Sequence, residues 1–360
     1  MVAQKSVLVR QQLKVILTRM HRAGIPKELI QRVYGYLKQA PAEAVVQMNP
    51  NRLMVKCRCS RSQMMNLLIL GLFEGLFEMQ WDISCPHCKN IAEHQRHLQQ
   101  VKPQVFCASC QVDFTPHADE NITVTISVHP NLFTNGLPQV AAGSTAEKEL
   151  PPMTALELIA LPAFRKYFSD QIPALDQSIK IRSVTVMFTD LIQSTQLYTD
   201  IGDINAFALV KEHFQILFSE IIGHSGGIVK TIGDAVMAVF TKARPALDVS
   251  FDIKEKVNLL LNNYALHNAF GLKVGLSQGT ALIVNLNDTM DLFGTTVNRA
   301  ARVVSVAGQR SVAVTQGVFD DLQVRDFIRK NDFSIKKKEH TFKGLPGLQT
   351  VYLISKGQKN

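Results

Sequence analysis

From Ser6 to Arg22 the apolar residues Leu8, Val9, Leu13, Ile16, Leu17 and Met20 return at helical spacing, with Arg10, Lys14 and Arg19 between them. Gly24 offers a C-terminal cap and Pro26 a first-turn start, so a second helix is predicted through Leu37, antiparallel to the first. Ser60-Arg-Ser-Gln63, followed by Met64, Met65, Leu67, Leu68 and Leu70, predicts a third. The run from Phe77 to Ile83 reads as a short strand, and Asn121 to Val128, alternating and β-branched, as another. Residues 131–152 carry Pro, Gly, Asn and Ser without a period, which places a domain boundary there. Thr154 then caps a helix expected to run through Ala155, Leu158, Ile159 and Phe164 and to join the two halves. Ser183 opens a buried strand that delivers Asp190 at its end, and residues 226–240 read as strand, Gly-Asp turn and strand, with Asp234 at the tip. No internal repeat is evident.

At 360 residues the chain exceeds what one core usually organises, so two or three domains are expected. With 46% hydrophobic and 19% charged residues it is neither a disordered tail nor a fibrous repeat. The longest apolar stretch, Met64 to Met79, is interrupted by Glu74 and Glu78 and falls short of the ~20 residues a membrane span needs. Charged residues precede any apolar run of signal-peptide length, so a cytoplasmic location is expected. Residues 1–60 hold 11 Lys+Arg against 2 Asp+Glu, and the remainder holds 28 of each, so the whole excess of +9 lies in the first sixth. Such a segment suits nucleic acid, an anionic membrane surface or an acidic protein partner, and equally a solvated helical face. A basic helical unit feeding a strand also resembles a winged-helix arrangement.

All six cysteines fall between Cys57 and Cys110. Cys85-Pro-His-Cys88 and Cys107-Ala-Ser-Cys110 are two C-x2-C knuckles separated by eighteen residues, a spacing that lets four thiolates reach one tetrahedral Zn2+. A closed four-cysteine zinc is a structural staple, so Cys85, Cys88, Cys107 and Cys110 are expected to hold one ion that stabilises the first half. Cys57 and Cys59 read as spare thiols, and His87, His94 and His97 as solvated or capping residues near the knuckles.

In the second half, Asp190 and Asp234 stand at neighbouring strand ends, a placement that suits Mg2+ shared with substrate phosphates. The segments Phe188-Thr-Asp-Leu-Ile-Gln-Ser-Thr195, Val229-Lys-Thr-Ile-Gly-Asp-Ala-Val-Met-Ala-Val-Phe240 and Asp291-Leu-Phe-Gly-Thr-Thr-Val-Asn-Arg-Ala-Ala-Arg302 resemble the catalytic domain of the class III adenylate and guanylate cyclases, in that family's order and spacing. The likeness covers roughly residues 181–355 and, with the zinc knuckles and the Pro-Pro-x-Thr-Ala-Leu-Glu segment, extends to a bacterial subgroup.

This resemblance implies an α+β fold: a ferredoxin-like βαββαβ catalytic domain at 181–355 that dimerises head to tail, a helical, zinc-ribbon-containing regulatory domain at 1–129, and a linker and connecting helix at 130–180. It makes Asp190 and Asp234 ligands for two Mg2+ or Mn2+ ions, with the Leu191 carbonyl completing a shell. The amides around Ser194 and Thr195 would hold phosphate oxygens at a helix N-terminus. Lys230 and Asp291 would read the purine edge, where a carboxylate suits the adenine amine and an ammonium suits N1, so the implied substrate is ATP. Asn298 and Arg302, four apart on one helix, would orient the ribose and stabilise charge on the α-phosphate. Lys343, in a late Lys-Gly turn, is the candidate γ-phosphate contact. The expected activity is adenylate cyclase, forming 3',5'-cyclic AMP and pyrophosphate across a homodimer. The alternatives are a guanylate cyclase, and a non-catalytic DNA-binding regulator that uses the cyclase fold to dimerise. One departure is Asn285, Asn287 and Asp288, where many relatives carry glycines, in the arm expected to meet the partner subunit.

Overall fold

The computed structural model describes residues 8–136, 150–175, 177–264, 266, 270–286 and 289–357. The chain divides into two units, the first reaching Leu158 and taking up Ala163–Ile172, the second holding Ile159–Pro162 and everything from Pro173 onward. Among the described residues no helix is long and apolar enough to cross a membrane.

The first unit begins with the antiparallel pair α1 (Arg10–Arg22) and α2 (Lys27–Gln39), followed by α3 (Arg52–Cys57) and α4 (Arg61–Phe73). Leu13, Ile16, Leu17 and Met20 bury the inner stripe of α1, as the spacing predicts, and Leu29, Val33 and Leu37 that of α2. Ser60 and Gln63 form the capping box that starts α4. Strands β1 (Phe77–Ser84), β2 (Ile91–Gln95), β3 (Val105–Cys107), β4 (Val112–Phe114), β5 (Ile122–Val128) and β6 (Met153–Thr154) follow. They make an antiparallel sheet in the order β2-β1-β5-β6 and a separate β3-β4 hairpin.

The expected connector behaves differently from the sequence reading. Its residues 137–149 lie outside the described residues, but β6 pairs with β5 and so extends the first sheet. The helix expected through Phe164 is two helices, α5 (Ala155–Ile159) and α6 (Pro162–Tyr167). Pro162 is the reason: it disfavours helical backbone at Leu161 while its own fixed φ suits a helix start. Beyond the break, α6 packs Phe164 edge-on to Trp81, and Trp81 Nε1 donates to Gln171 Oε1 at 2.8 Å.

The second unit contains β7 (Ser178–Leu191), α7 (Ser194–Gly223), β8 (Gly226–Ile232), β9 (Ala235–Phe240), α8 (Ala243–Asn263), β10 (Leu272–Leu286), β11 (Thr289–Phe293), α9 (Thr295–Val303), β12 (Ser311–Thr315), α10 (Gln316–Phe319), α11 (Leu322–Lys330), β13 (Phe333–His340) and β14 (Gln349–Lys356). Its sheet runs β13-β14-β12-β10-β7-β9-β8, with β11 paired to β10. The stretch β10-β7-β9-β8 is antiparallel and is the ferredoxin-like βαββαβ core.

Side chains alternate across this sheet, so the two faces have different jobs. Leu272, Val274 and Leu276 of β10, with Met187 and Leu191 of β7, join the core formed with α7 and α8. Gly279 faces α9, and Gly275 faces the residue that follows it. A Cβ on Gly275 would lie 2.6 Å from Val304 Cα, and one on Gly279 would lie 2.6 Å from Thr296 Oγ1, so these two glycines let α9 and its exit lie close on the strand. Thr296 Oγ1 then donates to the Thr280 carbonyl at 2.7 Å.

Candidate active site

Asp190 is the penultimate residue of β7 and pairs across the sheet with Lys273 of β10, on the face away from α7 and α8. Asp234 sits in the two-residue turn between β8 and β9, entered through Gly233 at φ +61°, a conformation that glycine adopts without strain. Two bonds hold the turn against β7. Leu191 N donates to Asp234 Oδ2 at 3.1 Å, and Val236 N donates to Thr189 Oγ1 at 3.0 Å.

Burial and then the charge of Asp234 hold the Asp190 carboxyl above its ordinary range, while Lys273 Nζ, 3.9 Å from Asp190 Oδ2, works the other way. Two hard-oxygen donors repelling each other at a strand edge are a donor set that a divalent cation relieves, and Mg2+ or Mn2+ fits that chemistry.

Immediately after β7, Gln193 takes φ +58° and turns the chain into α7, whose first turn has no side-chain cap. Ser194 is half-buried there, while the side chain of Thr195 lies outside the described residues, as do Asn287 and Asp288. Across the sheet, Lys230 of β8 and Asp291 of β11 meet at 2.5 Å, although they are 61 positions apart. Asp291 spends its other oxygen on Leu292 N at 2.8 Å, which fixes the carboxylate orientation. Asn298 and Arg302 share the exposed side of α9, and Lys343 is exposed in the β13–β14 connection. Among the described residues, these three make no side-chain hydrogen bond to the carboxylates or to the Lys230–Asp291 pair.

Residues 177–356 match the family of the adenylate and guanylate cyclase catalytic domain. The chain belongs to that family. Residues 11–138 match a second family, one of unknown function (DUF5939). The cyclase domain is similar to a pH-sensitive adenylate cyclase of Mycobacterium tuberculosis (strain CDC 1551 / Oshkosh), 32% identical over 156 residues, which are 39% of this chain and 33% of the relative. It is also similar to an adenylate cyclase of Streptomyces coelicolor, 30% identical over 150 residues, or 41% of this chain and 36% of the relative. The matches span 10% to 36% of the five curated relatives' own lengths. Among solved structures, a bacterial light-regulated adenylyl cyclase overlaps with a TM-score of 0.44 at 24% identity, over 53% of this chain and 57% of that one.

The first unit carries a separate candidate metal centre. The ligand atoms of Cys85, Cys88, Cys107 and Cys110 all lie within 4.8 Å of one another, with Sγ–Sγ separations of 3.6 Å for the pairs 85–110 and 88–107. A tetrahedral ion with sulfur at ~2.3 Å separates its ligands by about 3.8 Å, so the cluster fits a metal of zinc's size. Both knuckles use the same turn. Lys89 and Gln111 adopt φ +64° and +57° directly after the second cysteine, and their amides donate to the Cys85 and Cys107 carbonyls at 3.0 and 2.8 Å.

Two of the neighbouring histidines are engaged elsewhere: His94 Nδ1 meets Asp82 at 2.7 Å and His97 Nδ1 meets Asp170 at 3.1 Å. Cys57 is also apart from the cluster, its thiol pushed up to about 12, first by burial and then by Cys59.

Sequence reasoning missed Lys273 and Thr189. Their signal is positional: each becomes a neighbour of the paired carboxylates only once the β7–β10 register and the hairpin docking are known.

Proposed function

We propose that the second unit is an adenylate cyclase that converts ATP to 3',5'-cyclic AMP and pyrophosphate at sites shared across a homodimer. The observation that carries the choice of ATP is the Lys230–Asp291 pair. Its carboxylate accepts from the adenine amine and its ammonium donates to N1. Guanine presents the opposite pattern at those positions.

Asp190 and Asp234 are the residues that would hold Mg2+ or Mn2+, with the Leu191 carbonyl completing a shell. When bound, these ions assist ionisation of the ribose 3'-hydroxyl and neutralise the triphosphate. The uncapped first turn of α7, at Ser194 and Thr195, holds phosphate oxygens through its amides. Asn298 orients the ribose so that the 3'-oxygen lies in line with the α-phosphorus. Arg302 stabilises the charge that grows there as the bond to pyrophosphate breaks. Lys343 contacts the γ-phosphate.

That Asn298 and Arg302 stand exposed on α9, with no hydrogen bond to the carboxylates of their own chain among the described residues, supports a site completed by a second copy. The first unit, stapled by Zn2+ at Cys85, Cys88, Cys107 and Cys110, regulates the rate. The test is turnover by the purified full chain with ATP or GTP and with Mg2+ or Mn2+. Cyclic AMP in excess supports the proposal, cyclic GMP in excess reassigns the base, and no cyclic nucleotide under either metal overturns it.

A further inference from the structure

Lys254 lies on α8 and is 5% exposed. Burial pushes its ammonium down to about 7 from an ordinary 10.5. Among the described residues no carboxylate pairs with it. Its Nζ donates instead to two backbone carbonyls, Leu272 O and Gly308 O, the second at 3.0 Å. A buried lysine answered only by carbonyl dipoles is costly, and a leucine or methionine would fill the same space more cheaply.

The two carbonyls locate the return on that cost. Leu272 opens β10 opposite Leu191, and the next pair along is Lys273 with Asp190. One residue earlier, the Gly271 carbonyl accepts from Ile192 N at 2.8 Å, directly before the turn into α7. Gly308 lies on the segment beside that strand end, where Gln309 Nε2 also donates to the Phe270 carbonyl at 2.9 Å. Gly308 follows α9 and a short 3-10 turn (Val304–Val306), and its carbonyl also accepts from Ser311 N at 3.3 Å, where β12 begins. The Lys254 amino group, with the Gln309 amide beside it, therefore ties the strand end beside the carboxylates to the exit of the helix that bears Asn298 and Arg302.

We propose that Lys254 is a positioning residue that locks these two edges of the chain into one body. The inference rests on the shared-site cyclase reading. In that reading the carboxylates of a chain serve one site of the dimer and its α9 serves the other, so the Lys254 tie sets the two half-sites of each chain at a fixed spacing.

The experiment uses the full chain with Lys254→Met, with Lys254→Gln, which keeps an amide donor, and with Val257→Ala, a packing change at a buried position on the same helix. Hydrogen exchange at the Ile192 and Ser311 amides and steady-state turnover against Mn2+ and ATP are measured on each. In Lys254→Met both amides should exchange faster together, by roughly tenfold or more. The Mn2+ needed for half-maximal rate should rise and kcat should fall by a similar factor, because an ångström of misplacement at a reacting centre costs up to about a hundredfold. Lys254→Gln should fall between, and it carries the test if Lys254→Met does not fold. The Val257→Ala chain should keep its Mn2+ requirement within about twofold, since lost packing alone does not move the two edges apart.

Acceleration at one amide without the other, or an equal shift in Val257→Ala, overturns the proposal. A wild-type chain that makes no cyclic nucleotide overturns the cyclase reading instead, and the exchange result still decides whether Lys254 forms the tie.

Discussion

Exchanging the base-reading pair is the most direct perturbation of substrate choice. Lys230→Glu with Asp291→Cys inverts the donor and acceptor pattern while leaving β8 and β11 in place. The side chain of Lys230 keeps 39% of its surface exposed and that of Asp291 18%, so the pair is only partly desolvated and its direct contribution to stability is small, about 0 to 1 kcal/mol. Loss of the ion pair by itself therefore does not unfold the chain. A base edge left facing the wrong partner costs about 1 to 3 kcal/mol, more for the better-buried Asp291. Each ~1.4 kcal/mol is tenfold, so the ratio of kcat/KM for ATP to that for GTP should fall by roughly one to two orders of magnitude. Competing turnover of both nucleotides under Mn2+ reads this ratio directly, with thermal melting as a check that the fold is retained. An unchanged ratio in a folded double variant would remove Lys230 and Asp291 from base recognition, and with them the argument for ATP.

Further outcomes follow from the same geometry. Asp190→Ala and Asn298→Ala should each be nearly inactive, yet after confirmed subunit exchange a mixture should recover part of the activity, because one site of each mixed dimer is intact; a mixture as dead as its parts refutes a shared site. Metal analysis should give about one zinc per chain, lost in Cys107→Ser together with thermal stability of the first unit, whereas a folded, zinc-free chain would refute the staple. Gly275→Ala should destabilise by about 1 to 3 kcal/mol in a denaturant titration, since the new methyl meets Val304. Lys254, neutral above about 7 when folded but protonated to about 10.5 when unfolded, makes the unfolded chain bind more protons in that window. Stability should therefore rise with pH across it by at most ~1.4 kcal/mol per unit, and Lys254→Met should flatten that rise; equal slopes would refute the assignment.

What the sequence disclosed is what depends on local spacing. The helix stripe of α1, the helix starts at Pro26 and Ser60, both cysteine knuckles and the Gly-Asp turn at Asp234 each involve residues within a few positions of one another, where backbone geometry dictates who meets whom. The end of the connecting helix failed for a local reason as well: Leu161-Pro162 interrupts the apolar period that suggested one continuous helix. The pairing of β6 with β5 was not legible, because a two-residue strand has no period to read and its partner lies across 137–149.

The remaining layer of the site becomes readable only when register is known. Along β10 the residues Leu272, Val274 and Leu276 look like an ordinary buried strand, and Gly275 and Gly279 like weaknesses in it. Once the strand is paired to β7, the glycines prove to be the bed for α9 and its exit, and Lys273 the cation opposite Asp190. Lys254 shows the same dependence more sharply. By helical period it belongs to the buried side of α8, beside Phe251 and Val257, where a sequence reading would place an apolar residue or ignore the charge. Its two carbonyl partners are 18 and 54 positions away. Only the closed βαββαβ sheet brings them within reach of one ammonium, so its placement between the carboxylate edge and α9 is a property of the fold that no local motif encodes.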